Sequence, residues 1–305
     1  VNKDQERAWT AAEKAAQAER KRLLEATRSD VLDLIEKAKS AITLTLAGQP
    51  SDYQQWRLSE LNKEIDRVMA ELGQGAGQVL STAAGAAWAG GVAAIDAPMA
   101  AAAISAALPH LDAGQLMGMR SFMVDRISDV SAVAAGKIKQ ELGLTMIGAQ
   151  NVSDTIGKVA EHLGEGSRAR ATTIVRTELS RAWATASNER ALQSEEAGVP
   201  MDKIWRRSGK QYPRRAHLLA DGRRVKIDEA FTINGHKMRY PHDPKAPASE
   251  TINCGCIALY RPRDSVATLP DHRPFTEREL AQNADMAEVA TGKSVRELLS
   301  TPGDK

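Results

Sequence analysis

Cys254 and Cys256 lie one residue apart, and together with His217 they offer two thiolates and an imidazole, a donor set suited to zinc. Gly255 between them lets the chain bend so that both sulfurs face one way. His236, His242 or Asp243 could supply a fourth ligand. On a straight strand the two cysteines would instead point to opposite faces and simply pack, reduced, in the interior. A disulfide across this spacing would be strained, and the chain has no other cysteine to pair with either one. A reducing, cytosolic environment is therefore expected.

Upstream, the stretch KIWRRSGKQYPRRAHLLADGRRVK (203–226) holds nine Lys or Arg and one Asp. Arg206, Arg207, Lys210, Arg214, Arg215, Arg223 and Arg224 are candidates to grip DNA phosphates without sequence preference, with Trp205 and Tyr212 available for base stacking. The alternative is a solvated face, or one turned toward an acidic protein. His217 and Asp221 bring a general base to mind, but no nucleophile or oxyanion element accompanies them. Arg176 and Glu178 are two apart on a helix and face different ways. That spacing suits a structural role, one of them reaching the strands and holding the helix to them.

These residues need elements to hold them. An amphipathic helix is predicted over 3–47, with Leu23, Leu24, Val31, Leu34, Ile35, Ala38 and Ile42 apolar and an end near Gly48 and Pro50. A second is opened by Ser51 with Gln54 at capping-box spacing, carries Leu58, Leu61, Ile65, Val68 and Leu72, and is closed by Gly73. A third, capped by Asp112, has the stripe Leu116, Met119, Met123, Ile127, Val130 and Val133, read as core, and ends at Gly143. A short helix capped by Asn151 or Ser153 stops at Gly164, and a long one covers 168–197 with Gly198 as its C-terminal residue. From Val199 the helical period disappears. Strands are expected at 203–206, 223–227 and 256–260, an Asp221–Gly222 turn, and a hairpin FTINGHKMRY whose Asn234–Gly235 supplies a type I′ turn. A last helix is expected near 276–290.

Composition sharpens this picture. Aromatic residues are 4% of the chain and apolar residues 42%, so much of the apolar content is alanine, which builds helix but buries little area per residue. The helices of 1–160 are expected to depend on partners or on self-association. Between Gly73 and Leu108 the only charge is Asp96; the tract reads as close helix packing through small residues, not as a membrane span. The charged and helical first forty residues do not resemble a secretory leader. Residues 168–262 carry 18 basic and 10 acidic side chains, between a 1–167 segment with 17 and 21 and a tail with 6 and 8. This basic island suits an anionic partner. The fold class expected is α+β: a long, mostly helical N-terminal region (1–150), a small helix-plus-antiparallel-β domain (151–262), and a tail (263–305) with one short helix.

The ordered series IVRTELSRAWATASNERA, KIWRRSG, RRAHLLADGRRV, DEAF, RYPHDP and ETINCGC resembles the Mu F-like family of phage head-morphogenesis, or minor capsid, proteins. Arg176, Thr177, Glu178, Asn188, Trp205, Arg215, His217, Asp221, Gly222, Phe231, Pro241, Asp243, Asn253, Cys254 and Cys256 carry the likeness, across roughly 168–262. One departure is Gly255, where the family usually has a basic residue. The resemblance implies a few-copy, non-enzymatic virion protein inside the capsid or at the portal vertex. Its implied partners are the portal protein, the capsid interior and phage DNA during packaging or ejection. The alternative is a metal-dependent nuclease or nucleotide-handling effector built around His217, Asp221, Glu250 and the cysteines.

Overall fold

A computed structural model describes residues 2–50, 56–210, 213–265 and 272–300. The helices are α1 (Lys3–Ala47), α2 (Leu58–Ala101), α3 (Gly114–Met146), α4 (Val152–His162) and α5 (Glu165–Glu196). There follow β1 (Met201–Arg206), α6 (Arg215–Leu219), β2 (Arg224–Lys226), β3 (Phe231–Ile233), β4 (His236–Met238), α7 (Ala248–Thr251), β5 (Ile257–Pro262), α8 (Glu277–Thr291) and α9 (Val295–Ser300). The class is α+β, long helices first and a small antiparallel sheet after them.

Helix ends depart from expectation where glycine was read as a stop. Gly73 lies inside α2, which runs on through the Ala/Gly tract to Ala101. The glycine is there for closeness: a Cβ on it would lie 2.8 Å from the Ser131 hydroxyl of α3. Gly143 likewise sits within α3, which continues to Met146. Asp112 is not the cap of α3, whose cap position is Ala113. The Ser51–Gln54 capping box lies outside the described residues. Other signals hold. Asn151 caps α4 by accepting from the Asp154 amide at 2.8 Å, and Thr276 and Glu279 form a capping box on α8. Asn234 and Gly235 both have positive φ in the β3–β4 turn.

The chain forms two compact units, each assembled from separated segments. One comprises 1–20, 88–112 and 180–305; the other comprises 21–87 and 113–179. Helices α1, α2 and α5 each contribute to both units. The second unit is all helix, with Val31, Ile35, Ile42, Ile65, Leu72, Leu80, Met123, Ile127, Ile138 and Val175 buried. The α3 methionine Met123 is core, as expected, whereas Val133 is exposed. By length and composition α2 could cross a membrane, yet Ala76, Leu80, Ala84, Ala87 and Ile95 along it are buried within the protein.

The first unit holds the sheet, in order β2–β1–β5, both pairings antiparallel. Its larger apolar cluster joins Trp9, Ile95, Met99, Ala191, Met201, Ile227 and Tyr260. Gly90 and Gly91 of α2 allow α5 to approach: a Cβ on Gly91 would meet the Trp183 carbonyl oxygen and lie 2.8 Å from the Ala186 Cβ. A second cluster joins Trp205, Phe231, Ile233, Met238, Cys254 and Cys256. That cluster is the floor of the site described next.

Candidate metal centre

Two separate segments bring the three candidate ligands together. His217 stands on α6, and Cys254–Gly255–Cys256 enters β5 after the short α7. Asn253 takes φ 52°, the left-handed region that asparagine tolerates, and so turns the chain into the two cysteines. The chain there is not a straight strand, and the sulfurs do not diverge. His217 Nδ1 lies 3.5 Å from Cys254 Sγ and 3.7 Å from Cys256 Sγ, and the three donor atoms fall within 4.8 Å of one another. All three residues are buried.

The opposite edge of the imidazole is fixed. His217 Nε2 lies 2.8 Å from Glu250 Oε2, and Asn234 donates to the other carboxylate oxygen at 3.0 Å. Trp205 meets the ring edge-on, 5.3 Å between centroids. Burial disfavours the imidazolium, but the Cys254 thiolate and the Glu250 carboxylate outweigh it and raise the His217 pKa. The two thiols share one proton unequally: Cys256 donates toward Cys254, which is held well below the ordinary thiol range while Cys256 is pushed well above it. A donor set of one thiolate, one thiol and an imidazole backed by a carboxylate can bind a soft or borderline cation.

Of the further ligands considered, Asp243 is committed to Arg239, whose Nη2 donates to it at 2.8 Å, and to the Arg239 and Lys245 amides. His236 is exposed on β4. His242 is buried, adopts φ 69°, and shares a cavity of about 20 Å³ with Cys256, Arg20, Ser180 and Tyr260. On the outer side an open cleft of about 260 Å³ reaches Cys254, Cys256 and His217 past Lys210, Arg214 and Asn253.

The basic residues divide into two sets. Arg206 and Arg207 are buried, 7% and 4% exposed, and are not surface grips for phosphate. Arg207 donates to Glu279 at 2.7 Å and stacks on Phe275, and Arg206 lies 3.4 Å from Asp221. Trp205 is likewise buried, so it cannot stack on a base, and Tyr212 lies outside the described residues. Arg215 and Arg223 are exposed; Arg224 is exposed but paired with Asp202 at 2.7 Å. Lys210 and Arg214 are half-buried on the cleft, where Lys210 donates to Asn253 and Arg214 to the Ile252 carbonyl at 2.8 Å.

The structural-motif residues are placed as follows. Asp221 accepts from the Arg207 amide at 3.0 Å and the Arg273 amide at 2.6 Å, which makes it a joint between β1 and the tail, not a general base. Gly222 follows it with φ 81°. Glu178 is buried on α5. Arg176 does not reach the strands; it pairs with Glu25 of α1 at 3.0 Å. Glu279 and Arg273 were not foreseen as partners, since a carboxylate dozens of residues downstream leaves no local pattern.

Residues 136–259 match the family described as Phage Mu protein F like protein. A 32% identical match over 123 residues is to the uncharacterized protein YqbB of Bacillus subtilis (strain 168), covering 39% of each chain. A 31% identical match over 124 residues is to a protein of Enterococcus faecalis (strain ATCC 700802 / V583) named NAD(+)--arginine ADP-ribosyltransferase EFV, covering 36% of this chain and 25% of that protein. The chain thus spans well under half the length of either relative. No solved structure matches it.

Proposed function

We propose that this chain, which matches the Mu F-like family across residues 136–259, acts in phage head morphogenesis as a minor capsid protein. It sits inside the capsid at the portal vertex and assists DNA packaging or ejection without catalysing a reaction. The observation that carries the reading is the family match, which coincides with the segment containing the buried His217–Cys254–Cys256 cluster. The described surface adds support. Met117, Phe122 and Val133 on α3, with Ile147 just after it, are exposed apolar side chains, and alanine-rich helices that bury little gain stability by docking. The portal or sister copies are the partners this fits.

The reading is tested in particles. Quantitative mass spectrometry of purified heads should find the chain at few copies, and portal protein should retain it in co-expression pull-downs. Absence from heads while the gene is expressed would overturn the proposal. DNA contact, if made, falls to Lys210, Arg214, Arg215 and Arg223. Replacing all four by serine should flatten the salt dependence of DNA binding; an unchanged slope would assign them to a protein partner.

A metal-dependent nuclease or nucleotide-handling enzyme is the second reading, favoured by the open cleft of about 260 Å³ over the three ligating residues. Nuclease activity with divalent metals that His217→Ala abolishes would establish it.

A further inference from the structure

We propose that His217 Nδ1, Cys254 Sγ, Cys256 Sγ and the buried imidazole of His242 form a closed four-ligand site for Zn²⁺. Three observations lead to it. The first is spacing. A nitrogen and a sulfur ligand at ordinary tetrahedral zinc distances are separated by about 3.6 Å, and the two sulfurs lie 3.5 and 3.7 Å from His217 Nδ1. Three of the four ligand atoms thus stand within 4.8 Å of one another, and the His242 ring has to close on them from the Cys256 side.

The second is orientation. With Nε2–H donating to Glu250, the neutral imidazole presents a bare Nδ1 lone pair to both sulfurs. Glu250 is itself held by Asn234. A carboxylate behind a ligating histidine fixes its tautomer and raises its basicity, and Glu250 is therefore a positioning residue here.

The third is the unpaired imidazole. His242 is 1% exposed, and neither ring nitrogen has a hydrogen-bond partner. Buried polar groups are nearly always paired, and this one also holds a left-handed backbone conformation that a histidine adopts at a cost. It lines the same small cavity as Cys256 and interacts electrostatically with Cys254. A metal bond would occupy one of its two nitrogens; Asp243 and His236, the other sequence candidates, are committed elsewhere or exposed. Binding releases the remaining thiol protons to solvent as Zn–S bonds form. The cleft past Lys210 and Arg214 gives the ion its way in.

The full chain, purified without chelator, should contain about one zinc per molecule, and less than about a tenth of an equivalent would overturn the site. Exchange with Co²⁺ should give the strong visible bands and thiolate charge transfer of a four-coordinate ion, unmoved by added azide. A wild-type spectrum that shifts with azide means an open position, and removes His242 from the set while leaving the other three. His242→Ala should weaken Co²⁺ binding at least ~10-fold and make its spectrum azide-sensitive; unchanged affinity and spectrum would refute the fourth ligand. A single water in the cavity, which about 20 Å³ can hold, predicts that unchanged result. The wild-type spectrum decides even where a variant does not fold.

Discussion

A Cβ at position 255 would lie 2.7 Å from the Ser208 Cβ and 3.2 Å from Lys210 Cε. Gly255 is thus required by its neighbours Ser208 and Lys210. Gly255→Ala is expected to cost about 1–3 kcal/mol, in the range of overpacked interiors, read as a lowered urea midpoint at constant slope. Adding Ser208→Gly should recover most of the loss; equal losses in both backgrounds would place the strain in the backbone. At this scale the grouping of His217 with Cys254 and Cys256 was legible from residue type, because few side chains bind metal, although His217 lies 37 residues before Cys254. Arg206 and Arg207 were misread for the converse reason. Charge was equated with exposure, while the carboxylate that makes burial tolerable, Glu279, lies 72 residues away.

Helices were legible from their apolar stripes, and their ends were not. Glycine terminates a helix when it takes positive φ, as Gly198 does after α5 and Gly292 after α8. It does the opposite work when it lets two helices touch, and one sequence cannot separate the cases. The contrast is measurable. Gly91→Ala should cost about 3 kcal/mol or more, since the new methyl meets a carbonyl oxygen of α5 that cannot move aside. A Cβ added at Gly136, on the exposed side of α3, would meet nothing within 4 Å, and Gly136→Ala should stabilise by about 0.5–1 kcal/mol by helix propensity alone. Thermal melts of the two variants that moved the same way would refute the packing account of α2.

At the scale of the whole molecule, the sequence suggested consecutive regions while contacts gather into units assembled from separated segments. The tail belongs to the first unit through Glu279. Burial disfavours its carboxylate, but the Thr276 amide and Arg207 outweigh burial and hold its pKa to about 2. A carboxylate depressed in the folded state stabilises it above the ordinary value of about 4.3, and that contribution is lost as pH falls toward 2. Acid titration followed by tryptophan fluorescence should show stability falling between roughly pH 4 and 2, a fall that Glu279→Gln flattens; an identical acid limb in the variant would remove Glu279 as its source. The first unit also ties the chain's two halves: Trp9 donates to the Tyr260 carbonyl, and Arg261 to Glu13 at 2.7 Å, 248 residues apart. A ribosome adding ~5–20 residues per second leaves Glu13 waiting roughly 12 to 50 seconds for Arg261 to be made. Through that interval the first turns of α1 can pack on Ile95 and Met99 of α2 but lack their β5 partners, so Glu13 stays without its counter-charge until the last strand is made.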